Sequence, residues 1–231
     1  MKDKIKYLLA ICIGVLPAHI FLIWYRLTHA EAFTLTDMLV YPLVIGGANI
    51  LLIVALNKYL LKQSLKEFNQ GKGTWFGDIF IGLALAAICF LLLFIERPLL
   101  SRILLQGTPP SQEVLNMMTG LARNPLLLAI WLGPVVWIGV ALFEELVRVF
   151  FLNCLWKLSP ARSWVFFSIL LVSVFIGFIH FYQGAFGVVS VTLQSLILAG
   201  YYYKFQRLLP LVISHALYDS IQIIMFVMQI N

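Results

Sequence analysis

Charge is scarce in this 231-residue chain: Asp, Glu, Lys and Arg make up 11%, against 62% hydrophobic and 14% aromatic residues. Soluble domains carry roughly 25% charged residues, so the chain lacks the polar surface that would cover a water-soluble globule. The same composition excludes a disordered segment and a collagen-like repeat. Cysteine is nearly missing too. Cys12, Cys89 and Cys154 are odd in number, lie far apart and form no CxxC pair, which excludes a disulfide framework and a zinc knuckle. All three read as small apolar side chains. No polar linker divides the sequence, so residues 1–231 read as a single transmembrane domain.

What is present is a series of charge-free runs, at 7–25, 38–57, 79–95, 124–143, 163–203 and 208–218. A spanning helix needs about 20 apolar residues. The 41-residue run therefore holds two passes, divided at Gln183-Gly184, and the last run continues past Asp219 through residues 221–230. The fold class is all-α: a polytopic membrane protein of about seven transmembrane helices, near 5–25, 38–60, 75–95, 125–157, 163–183, 185–203 and 208–230. Helices are required because lipid cannot satisfy an open backbone, and the runs do not alternate as barrel strands do. Between residues 97 and 123, Pro109-Pro110 breaks the chain. Ser111 there caps an expected short helix on the outer interface, with Val114, Leu115, Met117, Met118 and Leu121 on one side.

Orientation follows from the Lys/Arg bias. With the N-terminus in the cytoplasm, eleven of the sixteen basic residues fall in cytoplasmic segments, from Lys2, Lys4 and Lys6 to Lys204 and Arg207. Only Arg26, Arg97, Arg102 and Arg123 fall outside, and Arg148 lies within the membrane. The expected location is a prokaryotic plasma membrane, with the C-terminus outside. This sorting accounts for the net charge of +6 without nucleic acid as a partner. Ala30-Glu31-Ala32 imitates a signal cleavage site, but the apolar run before it is too long for a signal core.

Of ten acidic residues, Glu144, Glu145 and Asp219 fall deep within spans, at the depth of Arg148, His180 and His215. Each charge near a bilayer centre costs at least ~2.5–3.5 kcal/mol, so such residues face a polar interior and mark function. On a helix, i and i+4 share a face, which allows Glu144 to pair with Arg148 and His215 with Asp219. Glu145 points about 100° from Glu144. One arginine cannot neutralise both carboxylates, so one glutamate is expected to be held by Arg148 while the other faces a cavity as a general base. A buried ion-pair network joining three helices is the structural alternative. No HExxH occurs and no glycine-flanked GxSxG serine occurs. The pattern favours water activated by carboxylate and imidazole and calls for no cofactor, although two histidines with glutamates could in principle bind a metal.

Three segments carry a resemblance: Glu144-Glu145-Leu-Val-Arg148, Gly177-Phe178-Ile179-His180 followed by Phe-Tyr-Gln-Gly, and His215-Ala-Leu-Tyr-Asp219. In type, order and placement they resemble the CPBP, or Abi, intramembrane proteases, which include CAAX prenyl endopeptidases and bacteriocin-processing enzymes. The motif-bearing part is 124–223. Two positions depart from the family pattern. Arg148 comes one residue early, with Val149 at the usual arginine site, and Ile176 stands where the family has phenylalanine, with Phe175 adjacent.

The resemblance implies a glutamic-type, metal-independent peptidase with its active site inside the helix bundle. Glu144 and His180 would activate water, His215 would stabilise the oxyanion, and Asp219 would orient that imidazole. Glu145 would act behind them or as an alternative base, with Arg148 in support. The implied substrate is a membrane-associated or lipidated peptide or protein. Two other readings remain: a non-catalytic scaffold or bacteriocin-immunity protein that binds a partner peptide, and a proton-coupled carrier, which the lack of an inverted repeat disfavours. Helix lengths pose one difficulty. Glu144 lies ~20 Å and His180 ~30 Å from the turn at Ser159-Pro160, at 1.5 Å per residue. They meet only if Ala161–Trp164 belongs to the turn or the helices tilt or stagger. The site is then expected to open toward the cytoplasmic half.

Overall fold

The computed structural model describes residues 2–28, 34–104 and 112–230. Seven helices are long and apolar enough to cross a membrane: α1 (Lys4–Tyr25), α2 (Met38–Leu60), α3 (Trp75–Leu100), α5 (Pro125–Trp156), α6 (Arg162–Ile179), α7 (Phe181–Phe205) and α8 (Leu209–Gln229). A shorter helix, α4 (Gln112–Ala122), precedes α5. No strand occurs among the described residues. Large apolar side chains such as Leu51, Phe80, Leu91, Phe94 and Leu99 point outward, a belt that only lipid would cover at this density. The chain is an all-α integral membrane protein. Pro109-Pro110, Ser111 and Ala30-Glu31-Ala32 lie outside the described residues.

The span boundaries follow the charge-free runs closely, with one instructive exception. The helix containing α3 continues through Pro98 to Leu104, so Glu96 lies two turns inside it rather than at its end. The fifth and sixth passes divide where expected. Phe181–Gln183 forms a single 3₁₀ turn, and Gly184 has φ 80°, a backbone conformation that glycine adopts without a Cβ penalty.

Several helices are deliberately irregular. In α1, Pro17 has no N–H to give, and the helix is interrupted at Val15. In α5, Gly133 (φ −90°, ψ −109°) is non-helical and precedes Pro134, so the helix kinks there, and the π-helical winding around this kink ends at Leu142, two residues before Glu144. Such wide turns re-aim the residues that follow and recur at functional sites. A second π-helical turn, Pro42–Gly46, lets α2 meet α5 closely. A Cβ on Gly46 would lie 2.7 Å from the Gly139 carbonyl oxygen, so small residues set this crossing. A side chain on Gly177 would likewise run into Thr192 and the Val188 carbonyl, where α6 and α7 touch.

Downstream of Glu144, α5 is the centre of the bundle: Val147, Val149, Phe150 and Leu152 are almost fully buried among residues of α1, α2, α6, α7 and α8. The lysine-rich end is closed by polar links. Arg207 joins Asp78 at the start of α3 and donates to the Gly71 carbonyl at 2.9 Å, while Tyr202, Asn153 and the Glu67 carbonyl form a second cluster. The opposite end holds a second, apolar cluster. There α4 inserts Leu121 against Trp131, Val135, Val136 and Ile223. It is thus part of the bundle wall, not only an interfacial helix.

Candidate active site

Glu144 and Glu145 open the first regular turn after the π-helix of α5, and their side chains diverge. Glu145 is fully buried. One carboxylate oxygen takes a hydrogen bond from Arg148 Nη1, and the other is 2.6 Å from His215 Nδ1 of α8. Both of its oxygens are therefore engaged. Arg148 pairs with Glu145 three residues back, not with Glu144 four residues back as helical spacing also allows. The reason is tertiary: His215 arrives from α8 on Glu145's side, so a cation–carboxylate–imidazole chain forms there.

Glu144 faces a cavity instead. Its Oε2 is 3.8 Å from His180 Nε2 and 4.0 Å from His215 Nε2. His180 caps the end of α6, and its Nδ1 lies 2.8 Å from the Ile176 carbonyl oxygen. A carbonyl only accepts, so Nδ1 carries the hydrogen and Nε2 presents its lone pair toward Glu144. Two acceptors cannot bond each other, and the 3.8 Å gap suits a water that donates to both. Asp219 Oδ2 is 3.5 Å from His215 Nε2. Glu144, Glu145, Arg148, His180, His215 and Asp219 thus converge from three helices. α6 begins at Arg162, so Ala161–Trp164 is not a loop. The ~10 Å length mismatch between the two arms, counted at 1.5 Å per residue, is therefore taken up by tilt or stagger of the helices and not by a longer turn.

The cavity has a volume of about 580 Å³. Besides the site residues, Tyr25, Met38, Tyr41, Trp131, Phe186 and Phe226 line it, and Arg97 stands at its rim. All of these lie toward the α4 end. The lining thus reaches toward the α4 end, and not toward the lysine-rich half where the opening was expected. Among the described residues, no three His, Cys, Asp or Glu side chains adopt a metal-holding arrangement.

Two groups escaped the sequence reading. His19 on α1 is 2% exposed and lines the cavity. Its Nδ1 lies 2.6 Å from the Val15 carbonyl oxygen, and its ring packs on Phe143 and Phe175, at 5.7 and 5.3 Å between centroids. A histidine inside a charge-free run was the available signal. Ser190, Gln194 and Tyr218 also face the cavity, backed by Glu96. Neutral polar residues are common enough in spans that only Glu96 could have flagged this wall.

Comparison with known families matches residues 126–221 to the model described as type II CAAX prenyl endopeptidase Rce1-like. No curated protein and no solved structure matches the chain. The matched stretch runs from the start of α5 into α8 and contains all six converging residues. The segment that builds the site thus matches the Rce1-like model, a finding consistent with the CPBP/CAAX protease family.

Proposed function

We propose that this protein is an intramembrane endopeptidase that hydrolyses a peptide bond in a membrane-associated or lipidated peptide. The observation that carries this reading is the placement of Glu144 Oε2 opposite two imidazole Nε2 atoms at the foot of an apolar cavity. A water there donates one hydrogen to Glu144 and the other to the lone pair of His180, leaving its oxygen free to attack the scissile carbonyl carbon. The proton passes to Glu144 as the C–O bond forms, and from Glu144 to the leaving amine as the C–N bond breaks. No covalent enzyme intermediate is formed.

The negative charge that develops on the carbonyl oxygen needs a donor. His215 serves, because Glu145 holds its Nδ1–H and Asp219 faces its Nε2. Carboxylates on both ring nitrogens are satisfied together only by the imidazolium, which then has an Nε2–H to share with the oxyanion. Glu145 orients the ring as a triad acid does, and Arg148 compensates Glu145. Asp219 is the closer neighbour of the reacting face. The cavity's aromatic and aliphatic lining suits the lipid-bearing or apolar stretch of the substrate.

The test is direct. Purified protein in lipid nanodiscs, given an internally quenched peptide with a prenylated cysteine three residues from its C-terminus, is expected to release one product pair by mass spectrometry. Cleavage is expected to persist in excess chelator. Chelator-sensitive cleavage overturns the metal-independent route. Intact peptide, together with unchanged membrane-peptide termini in cells lacking the protein, favours the non-catalytic scaffold that binds a partner peptide.

The Lys/Arg bias supports placing the lysine-rich end in the cytoplasm. The α4 end of the cavity then faces outward, and so does the C-terminus. A C-terminal alkaline phosphatase fusion is expected to be active and a C-terminal green fluorescent protein fusion dark. The opposite pair of results inverts the assignment.

A further inference from the structure

Four side chains from three helices form a hydrogen-bonded chain along one wall of the cavity, and the mechanism above uses none of them. Glu96 of α3, 3% exposed, stands behind the wall and accepts at Oε1 from Ser190 Oγ of α7. Gln194, one turn further along α7, approaches Ser190 Oγ with Nε2 at 3.2 Å. The same nitrogen lies 2.6 Å from the hydroxyl of Tyr218 on α8. Ser190, Gln194 and Tyr218 all line the cavity. Tyr218 is the residue before Asp219, and its ring packs on Phe90.

The direction of every bond follows from the first. In its ionised form Glu96 only accepts, so the single hydroxyl hydrogen of Ser190 goes to it. The Ser190 oxygen must then accept from Gln194, which fixes that amide with its nitrogen on this side. The nitrogen also faces Tyr218, so the phenol oxygen accepts as well. The phenol's own hydrogen is left over, and among the described residues the hydroxyl has no other partner. Tyr218 lines the cavity, so this hydrogen is available to a group bound there.

We propose that Tyr218 is a substrate-binding donor: its O–H, aimed by the Glu96–Ser190–Gln194 chain, takes a backbone carbonyl oxygen of the peptide bound beside Glu144 and His215. This rests on the peptidase reading for the class of ligand. A peptide strand entering an apolar cavity brings carbonyl groups that lose their water and require a donor. A neutral hydroxyl satisfies a resting carbonyl without competing with the charged His215 for the oxyanion.

Binding of a fluorescent prenylated-cysteine peptide to the Glu144→Gln protein in nanodiscs tests this without turnover. Tyr218→Phe in that background is expected to weaken binding about tenfold, the worth of one buried hydrogen bond. In a set of peptides with one carbonyl at a time replaced by methylene, one replacement should cost about tenfold against the parent and nothing further against Tyr218→Phe. Gln194→Glu, whose carboxylate captures the phenol hydrogen, should match Tyr218→Phe, and the two together should be no worse than either. Should one variant fail to fold, the other decides. Unchanged binding by Tyr218→Phe, equal methylene costs in both proteins, additive losses, or no binding of the probe at all would overturn the assignment. A peptide that binds with this pattern but is never cleaved by the wild-type protein leaves the donor standing and removes the peptidase reading.

Discussion

Glu144→Gln is expected to lower kcat/KM for peptide cleavage by about 10³-fold, within the range that removal of a general base produces. The substitution preserves shape and removes only the basic oxygen that faces His180 and His215 at 3.8 and 4.0 Å. The side chain is cavity-facing and makes no direct hydrogen bond to another described residue closer than these distances, so the thermal unfolding midpoint in detergent should stay within a degree or two. His180→Ala is expected to fall in the same range, because it deletes the second acceptor of the same water. Double substitution should cost little more than either alone, since the two groups act on one molecule. Retention of more than a tenth of wild-type activity by Glu144→Gln would remove this glutamate from the mechanism.

The second large effect concerns stability. Arg148→Met leaves Glu145 buried beside His215 without its guanidinium, and breaking a buried pair from one side costs about 3–5 kcal/mol. A strong fall in the unfolding midpoint and in yield is expected. Replacing both members, Glu145→Gln with Arg148→Met, removes the uncompensated charge and should restore most of that loss. Activity should not return. Without the carboxylate on Nδ1, His215 loses the partner that orients it, and a loss of about 10²–10⁴-fold is expected, the order seen when a triad acid is replaced. The separation of the two readouts is the point of the experiment. If the double variant is both stable and active, Glu145 and Arg148 serve packing alone.

These two predictions depend on a distinction that helical spacing leaves open. Residues three and four positions before Arg148 are both within its reach, and sequence gives Glu144 and Glu145 equal claim. The choice is made by α8, which brings His215 to one carboxylate and leaves the other exposed to the cavity. The early arginine, which departs from the family pattern, is therefore placed where it can still compensate a buried glutamate.

The Glu96 wall was hidden for a related reason. A charge near the end of an apolar run marks a helix terminus by default, yet here the helix continues through Pro98. Only the packing of α7 against α3 reveals that the carboxylate faces inward and sets the direction of a polar chain. His19 was hidden because one histidine in an apolar run has no periodic partner. Its relation to Phe143 and Phe175 exists only once α1, α5 and α6 are side by side.

The shortage of charge determined the membrane location, the number of passes and nearly all their boundaries, because a bilayer tolerates few polar groups and demands helices of about 20 residues. The same shortage singled out the six ionisable residues, since each carries an energetic cost that must be compensated. What tertiary structure alone decided is which groups compensate which, and which way the cavity extends. Those are matters of helix stagger, of π-helical and proline bends that re-aim side chains by fractions of a turn, and of which neighbour reaches a carboxylate first. None of them leaves a periodic mark in the chain, because each is settled by contacts between residues tens of positions apart.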